Sequence, residues 1–161
     1  MKRFLIWGAV GVGAGMAVSH LLGSRPEAGS ERSPLPAVGA FPNAYASAPL
    51  YLDAPPEVVR EQALVAVQNG LYPLFGSAES IEATPLGLDV VVALGPFHDD
   101  LSLAVLPDGD GTVVYARSAA RRGRSDLGVN RLRTQRLLDD LARRANAAQK
   151  QLDGAARPES V

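Results

Sequence analysis

Three kinds of apolar patterning follow one another along the 161-residue chain. The first is continuous: Phe4 to Gly23, FLIWGAVGVGAGMAVSHLLG, has only Ser19 and His20 as clearly polar members. Twenty residues at about 1.5 Å rise can cross a hydrocarbon layer of roughly 30 Å. Lys2 and Arg3 in front of the run favour the cytoplasm. A retained anchor and a signal peptide cut at Ala17-Val18-Ser19 therefore both put the remainder on the far side of the membrane. The run resumes at Leu21-Leu22 after those small residues, which favours the anchor. Gly11 and Gly15 form a G-x-x-x-G pair of the kind that lets transmembrane helices approach, although so Gly/Ala-rich a segment matches it cheaply.

The second pattern is the absence of a period. Ser24 to Ala48, SRPEAGSERSPLPAVGAFPNAYASA, is rich in Pro, Gly, Ser and Ala and too poor in apolar surface to offset ordering entropy. It reads as a flexible tether.

The third pattern, over residues 49–152, alternates helix and strand periods and is expected to form one α+β domain. Leu50-Tyr51-Leu52 reads as a short strand. Pro55-Pro56-Glu57 opens a helix over 55–69 that puts Val59, Ala63, Ala66 and Val67 on one face and stops at Gly70. Strand-like runs follow at 78–84, 88–94, 101–106 and 112–118, broken by Pro85-Leu86-Gly87, Gly95-Pro96 and Pro107-Asp108-Gly109-Asp110-Gly111. Such short breaks require antiparallel neighbours. If Leu106 faces Thr112, then Leu103 faces Tyr115 and Val105 faces Val113, which puts Leu101, Leu103, Val105, Val113 and Tyr115 on one face. A final helix is expected over 126–152, with Leu138, Leu141, Ala145, Ala148 and Leu152 as its core stripe and Asp139/Arg143 and Asp140/Arg144 as outer pairs. The expected fold is an antiparallel sheet of four to five strands with an early helix and a long final one. By element order it is helix-grip-like, with 153–161 as a disordered tail.

Charge changes this picture only when read along the chain. The net charge is −1, but ten acidic residues face only Arg60 between Asp53 and Asp110, and nine Arg face three acids between Arg117 and Arg144. The hairpin register above brings Asp99 and Asp100 beside Arg117 and the loop carrying Arg121. One reading is structural: Asp99 or Asp100 accepts hydrogen bonds from an Arg. Ser118 belongs to the same network, Ser125 or Asp126 caps the last helix, and Gly128 allows close approach of its first turn. The other reading is an anion site in which Arg117, Arg121 and Arg131, with Asn130, hold a phosphate or carboxylate near the helix N-terminus. Asp126 already occupies that position.

The run ARSAARRGRSDLGVNRLR from Ala116 to Arg133 carries a resemblance. It is similar to the signature R-S-x-S-R-x-G-x-S-D-x-G-x-N-R-x-R of the bacterial and plastid family called domain of unknown function 1499. The matches are Arg117, Ser118, Arg121, Gly123, Ser125, Asp126, Gly128, Asn130, Arg131 and Arg133. Phe97-His98-Asp99-Asp100 resembles the family's F-x-D-D element. Ala120 departs from the usual Ser, so no hydroxyl chemistry can be carried to that position. The resemblance covers about 49–141 and implies no activity, ligand or catalytic residue. It does imply an N-terminal membrane or export segment.

The function classes narrow accordingly. With no Cys in the chain, disulfides, thiolate zinc sites and Cys nucleophiles are excluded. His98 is the domain's one His, and a Ser118, His98, Asp126 arrangement lacks a G-x-S-x-G elbow. Adjacent residues of a strand point apart, so His98-Asp99-Asp100 cannot converge on a metal. No phosphate-binding glycine loop is present, and the Arg-rich stretch lacks the interleaved aromatics of nucleic-acid binders. No catalytic residue and no cofactor is expected. Two expectations stand. One is a membrane-tethered extracytoplasmic binding module for an anionic or lipid-like ligand, its membrane partner engaged through residues 4–23. The other is an envelope interaction domain that docks an acidic protein and takes no small ligand.

Overall fold

A computed structural model of the chain describes residues 33–38, 43–71 and 75–155. The expectations for residues 1–23 fall outside the described residues, as do those for 24–32 of the tether and 156–161 of the tail. Among the described residues no helix is long and apolar enough to cross a membrane.

The elements in chain order are β1 (Ala44–Ala46), β2 (Leu50–Leu52), α1 (Pro56–Gly70), β3 (Ser77–Ala83), β4 (Gly87–Leu94), β5 (Phe97–Asp108), β6 (Gly111–Ala120) and α2 (Val129–Ala155). They make an α+β fold with one antiparallel sheet of six strands, one more than the sequence reading allows. The order is β1-β6-β5-β4-β3, and β2 also pairs with β6. β1 lies against Arg117–Ala119 and β2 against Thr112–Val114, so the two form one interrupted edge strand. Ser47 bridges the interruption, donating its N–H to the Ala116 carbonyl at 2.8 Å and accepting the Ala116 N–H on Oγ at 3.1 Å. Residues 44–46, assigned to the tether on composition, thus fold into the sheet. Backbone pairing with β6 supplies what their side chains do not.

The β5–β6 hairpin has a two-residue turn. Asp108 pairs with Gly111 and Pro107 with Thr112, so Leu103 meets Ala116 and Val105 meets Val114, one residue away from the register expected of the five-residue break. Gly109 takes φ of +59° at the first turn position while Asp110 does not share that sign, the signature of a II′-type turn. A one-residue slip exchanges the faces of a strand. Val113 and Tyr115 therefore leave the main core for the outer face, and Val114, Ala116 and Ser118 turn inward.

The core lies between the inner face of the sheet and both helices. α1 contributes Val59, Ala63, Ala66 and Val67, the four positions its period predicts. The sheet adds Leu88, Val90, Val92, Leu101, Leu103, Val105 and Val114, and α2 adds Leu137, Leu141 and Ala145. Burying each large aliphatic side chain contributes about 1.5–3 kcal/mol. The α2 stripe departs from expectation at both ends. Its buried face begins with Asn130, Arg133 and Thr134, and Leu152 is 52% exposed. The helix has 27 residues and is about 40 Å long. The helix continues to Ala155, into the stretch expected to be tail.

Candidate functional site

Asp99 and Asp100 stand side by side in β5 and point to opposite faces of the sheet. Asp99 points inward. Its Oδ2 accepts from Arg133 Nη1 at 2.7 Å, with the Arg133 side chain fully buried and that of Asp99 6% exposed. The same Nη1 lies 3.0 Å from Ser118 Oγ and 2.8 Å from Asn130 Oδ1, and Nε donates to the Phe75 carbonyl at 2.8 Å. Ser118 Oγ donates in turn to Asn130 Oδ1 at 2.5 Å. Arg136 stacks over the Phe75 ring at 5.2 Å from its centre. Nη2 of Arg133 is buried and has no hydrogen-bond partner.

This buried network ties down the loop that follows β6. Asn130 Nδ2 donates to the Asn43 carbonyl at 3.0 Å, and Asn43 Nδ2 donates to the Gly123 carbonyl at 2.8 Å. Asp126 accepts the N–H of Gly128 at 3.0 Å and that of Asn130 at 2.8 Å, capping α2 as expected, and Ser125 Oγ accepts the Leu127 N–H at 3.3 Å. Gly128 has another role than the expected close approach. A Cβ there would meet nothing within 4 Å, but its φ is +82°, a left-handed conformation that favours glycine. Leu127 beside it is also left-handed, at φ +53°, and is 93% exposed.

Asp100 points outward. Its Oδ1 accepts from Arg121 Nε at 2.9 Å and Nη2 at 2.7 Å, in a pair whose side chains are about half exposed. That hydrogen bond, and then the carboxylate charge, hold the Arg121 guanidinium above its ordinary pKa.

The residues proposed to gather round an anion are not brought together. Arg117 lies on the outer face with Val113 and Tyr115, Arg121 is committed to Asp100, and Arg131 is exposed on the first turn of α2. Asn130 is fully buried, with Oδ1 accepting twice and Nδ2 donating once. The imagined Ser118, His98, Asp126 arrangement is also dispersed. Ser118 faces the core, while His98 lies on the other face of the sheet, its Nε2 3.1 Å from Glu79 Oε2. Among the described residues no cluster of three or more His, Cys, Asp or Glu could hold a metal ion.

Two residues that organise the site, Arg133 and Asn43, carry no role in the sequence reading, although Arg133 is one of the signature matches. Asn43 carries no signal, since it sits in the aperiodic stretch. Arg133 does: Asn130, Arg133 and Thr134, Leu137 and Leu141 continue the stripe upstream at steps of three and four, so its side chain falls on the buried face.

Fold and site together define an α+β domain in which a buried Asp–Arg pair and its amide and hydroxyl partners brace an exposed, arginine-rich loop. The chain belongs to the family described as "Protein of unknown function (DUF1499)", whose sequence model matches residues 23–141. No curated protein matches it. Among solved structures it is similar to TTHA0849 from Thermus thermophilus, at 18% identity and a TM-score of 0.39 over 65% of this chain and 98% of that one. It is also similar to CV1439 from Chromobacterium violaceum, at 14% identity and a TM-score of 0.41 over 65% and 98%. A third is Ara h 8.0201, at 9% identity and a TM-score of 0.37 over 65% and 99%.

Proposed function

We propose that the chain is a membrane-tethered, extracytoplasmic binding module whose loop 121–128 and first turn of α2 engage anionic lipid headgroups. The observation that carries the reading is Leu127. A leucine in a left-handed conformation costs roughly 1–2 kcal/mol, and one that is 93% exposed returns nothing to the core. Its position makes sense if the side chain touches something outside the chain. Around it Arg122, Arg124 and Arg131 are exposed and have no carboxylate partner among the described residues, and Leu132 is 50% exposed. Basic side chains flanking exposed leucines suit a surface that is anionic above and apolar below. Each Arg near such a surface is worth about 1 kcal/mol, so three supply on the order of 3 kcal/mol at low salt. The tether supplies the rest of the attachment through the apolar run 4–23, with the domain on the extracytoplasmic side, the sidedness that Lys2 and Arg3 favour.

Amide exchange over 121–132, measured on the full chain in nanodiscs, tests this. Exchange is expected to slow in phosphatidylglycerol relative to phosphatidylcholine. The difference should vanish on replacing Arg122, Arg124 and Arg131 together by Gln. Equal exchange in the two lipids would contradict the reading.

A further inference from the structure

In the run Phe97-His98-Asp99-Asp100 at the start of β5, three side chains have partners within the fold. Asp99 holds Arg133, Asp100 holds Arg121, and His98 Nε2 lies 3.1 Å from Glu79 Oε2. Phe97 is instead 59% exposed. The local chain fixes it there. Leu94 pairs with Phe97 across a two-residue turn of Gly95 and Pro96, with Gly95 at φ +58°. A left-handed glycine followed by the fixed φ of proline makes a stiff turn, and all three residues from Gly95 to Phe97 are exposed. A large aromatic ring is thus held in water on a rigid projection.

That projection stands beside the arginine-rich loop. The Arg121 N–H donates to the carbonyl of His98, the residue after Phe97, at 3.0 Å, and Asp99 pairs with Ala120, the last residue of β6. Strand alternation sends Phe97 to the same side of the sheet as Asp99, the side on which Arg133 brings α2 down. Phe97, Leu127 and Leu132 therefore project from β5, from the loop and from α2 at one end of the domain. The acids at this end are already engaged. Glu79 faces His98, Asp100 faces Arg121, and Asp126 accepts the N–H groups at the start of α2. Arg122, Arg124 and Arg131 are exposed around them. Apolar tips carried on separate elements among arginines suit the boundary between anionic headgroups and acyl chains, which each can enter singly. A protein interface would call for a close-packed apolar core instead.

We propose that Phe97, at the tip of the β4–β5 hairpin, is a second point of insertion into the anionic bilayer, so that the domain meets the membrane end-on through the hairpin 94–97 and the loop 121–128. This second contact rests on the lipid reading above and adds an orientation to it. One contact leaves a tethered domain free to pivot, whereas two restrict its tilt. The strands then run away from the bilayer, and the β3–β4 turn that carries Leu86 at their other end stays in water.

Because the chain has no Cys, a single nitroxide label at Phe97→Cys, Leu127→Cys or Leu86→Cys reports the depth of that one position in the full chain. Depth is read in nanodiscs from collision with oxygen, which concentrates among acyl chains, against collision with a nickel chelate, which stays in water. The labels at 97 and 127 are both expected to enter phosphatidylglycerol and to stay aqueous in phosphatidylcholine, with the label at 86 aqueous in both. A label at 127 that enters while the one at 97 stays aqueous would overturn the second contact and leave the loop reading standing. Both labels aqueous in phosphatidylglycerol would overturn the lipid reading and the second contact with it. A label at 86 that enters as deeply as the one at 97 would overturn the end-on orientation. In the unlabelled chain, Phe97→Asp should reduce the slowing of amide exchange over 121–132 in phosphatidylglycerol by about tenfold, the effect of withholding about half of a Phe side chain from an apolar phase. Phe97→Trp should preserve the slowing, and far-UV circular dichroism should be unchanged in both variants. Undiminished slowing in Phe97→Asp would likewise overturn the proposal.

Discussion

Asp99 and Asp100 are neighbours in sequence, and each meets an arginine at 2.7 Å, yet the two pairs belong to different physical regimes. Strand alternation sends one carboxylate into the core and the other to the surface. The inner pair has lost nearly all its water and is held by Ser118, Asn130 and the Phe75 carbonyl as well. The outer pair is half solvated and makes its two hydrogen bonds alone. An ion pair's distance therefore says little about its consequence. Desolvation decides, because removing one member of a buried pair strands the other charge, while removing one member of an exposed pair returns the other to water.

The largest loss is expected at Asp99. Asp99→Ala, or Arg133→Ala, is expected to destabilise the chain by about 3–5 kcal/mol, read as a shift of the urea midpoint. Within the same network Ser118→Ala should cost about 1 kcal/mol, since Asn130 Oδ1 keeps its second donor. Asp126→Ala should cost a similar amount, about 1 kcal/mol, through the loss of both capped N–H groups at the start of α2. Leu127→Gly should instead raise stability by roughly 1 kcal/mol, while weakening the exchange difference between the two lipids. At the small end, Arg121→Ala should leave the urea midpoint nearly unmoved.

A second surface cluster sharpens the contrast through pH. Burial pushes the Asp140 carboxyl up, but hydrogen bonds from Arg144 at 2.6 Å and Arg143 at 2.9 Å, with their charges, outweigh it and leave the pKa below its ordinary value. A carboxyl depressed by folding contributes stability above its unfolded pKa and loses it as pH falls through the folded value. Acid titration of stability should therefore be shallower in Asp140→Asn, in the range below ordinary carboxylate values. The expected Asp139–Arg143 pair is replaced by this double use of Asp140.

How far the sequence could be read depended on what each pattern encodes. Apolar period located α1 within a residue at each end and named its four core positions. It located β2 to the residue, because burial of Leu52 is written in the side chain itself. It missed β1, whose pairing depends on backbone groups that every residue carries. It also missed the hairpin register, where the choice between a two-residue turn at Gly109-Asp110 and a longer break decided which face Tyr115 and Ser118 take. The arginine-rich signature was legible as a unit but not as two halves. Asp100 and Arg121 paired as the loop position implied, whereas Arg133 was hidden because a buried face is expected to be apolar. There Asn130, Arg133 and Thr134 are buried together, and the partners that Asp99, Ser118, Phe75 and Asn43 bring from other elements are visible only in three dimensions.

One signature divides into a buried bracing pair and a surface pair, and a double-mutant cycle on each pair separates the two. Stability is measured in urea, which does not screen charge as guanidinium chloride would, for Asp99→Ala, Arg133→Ala and the double variant, and for Asp100→Ala, Arg121→Ala and their double variant. The inner pair is expected to show strong coupling, on the order of 2–3 kcal/mol, and the outer pair no resolvable coupling. Equal coupling energies in the two cycles would contradict that division.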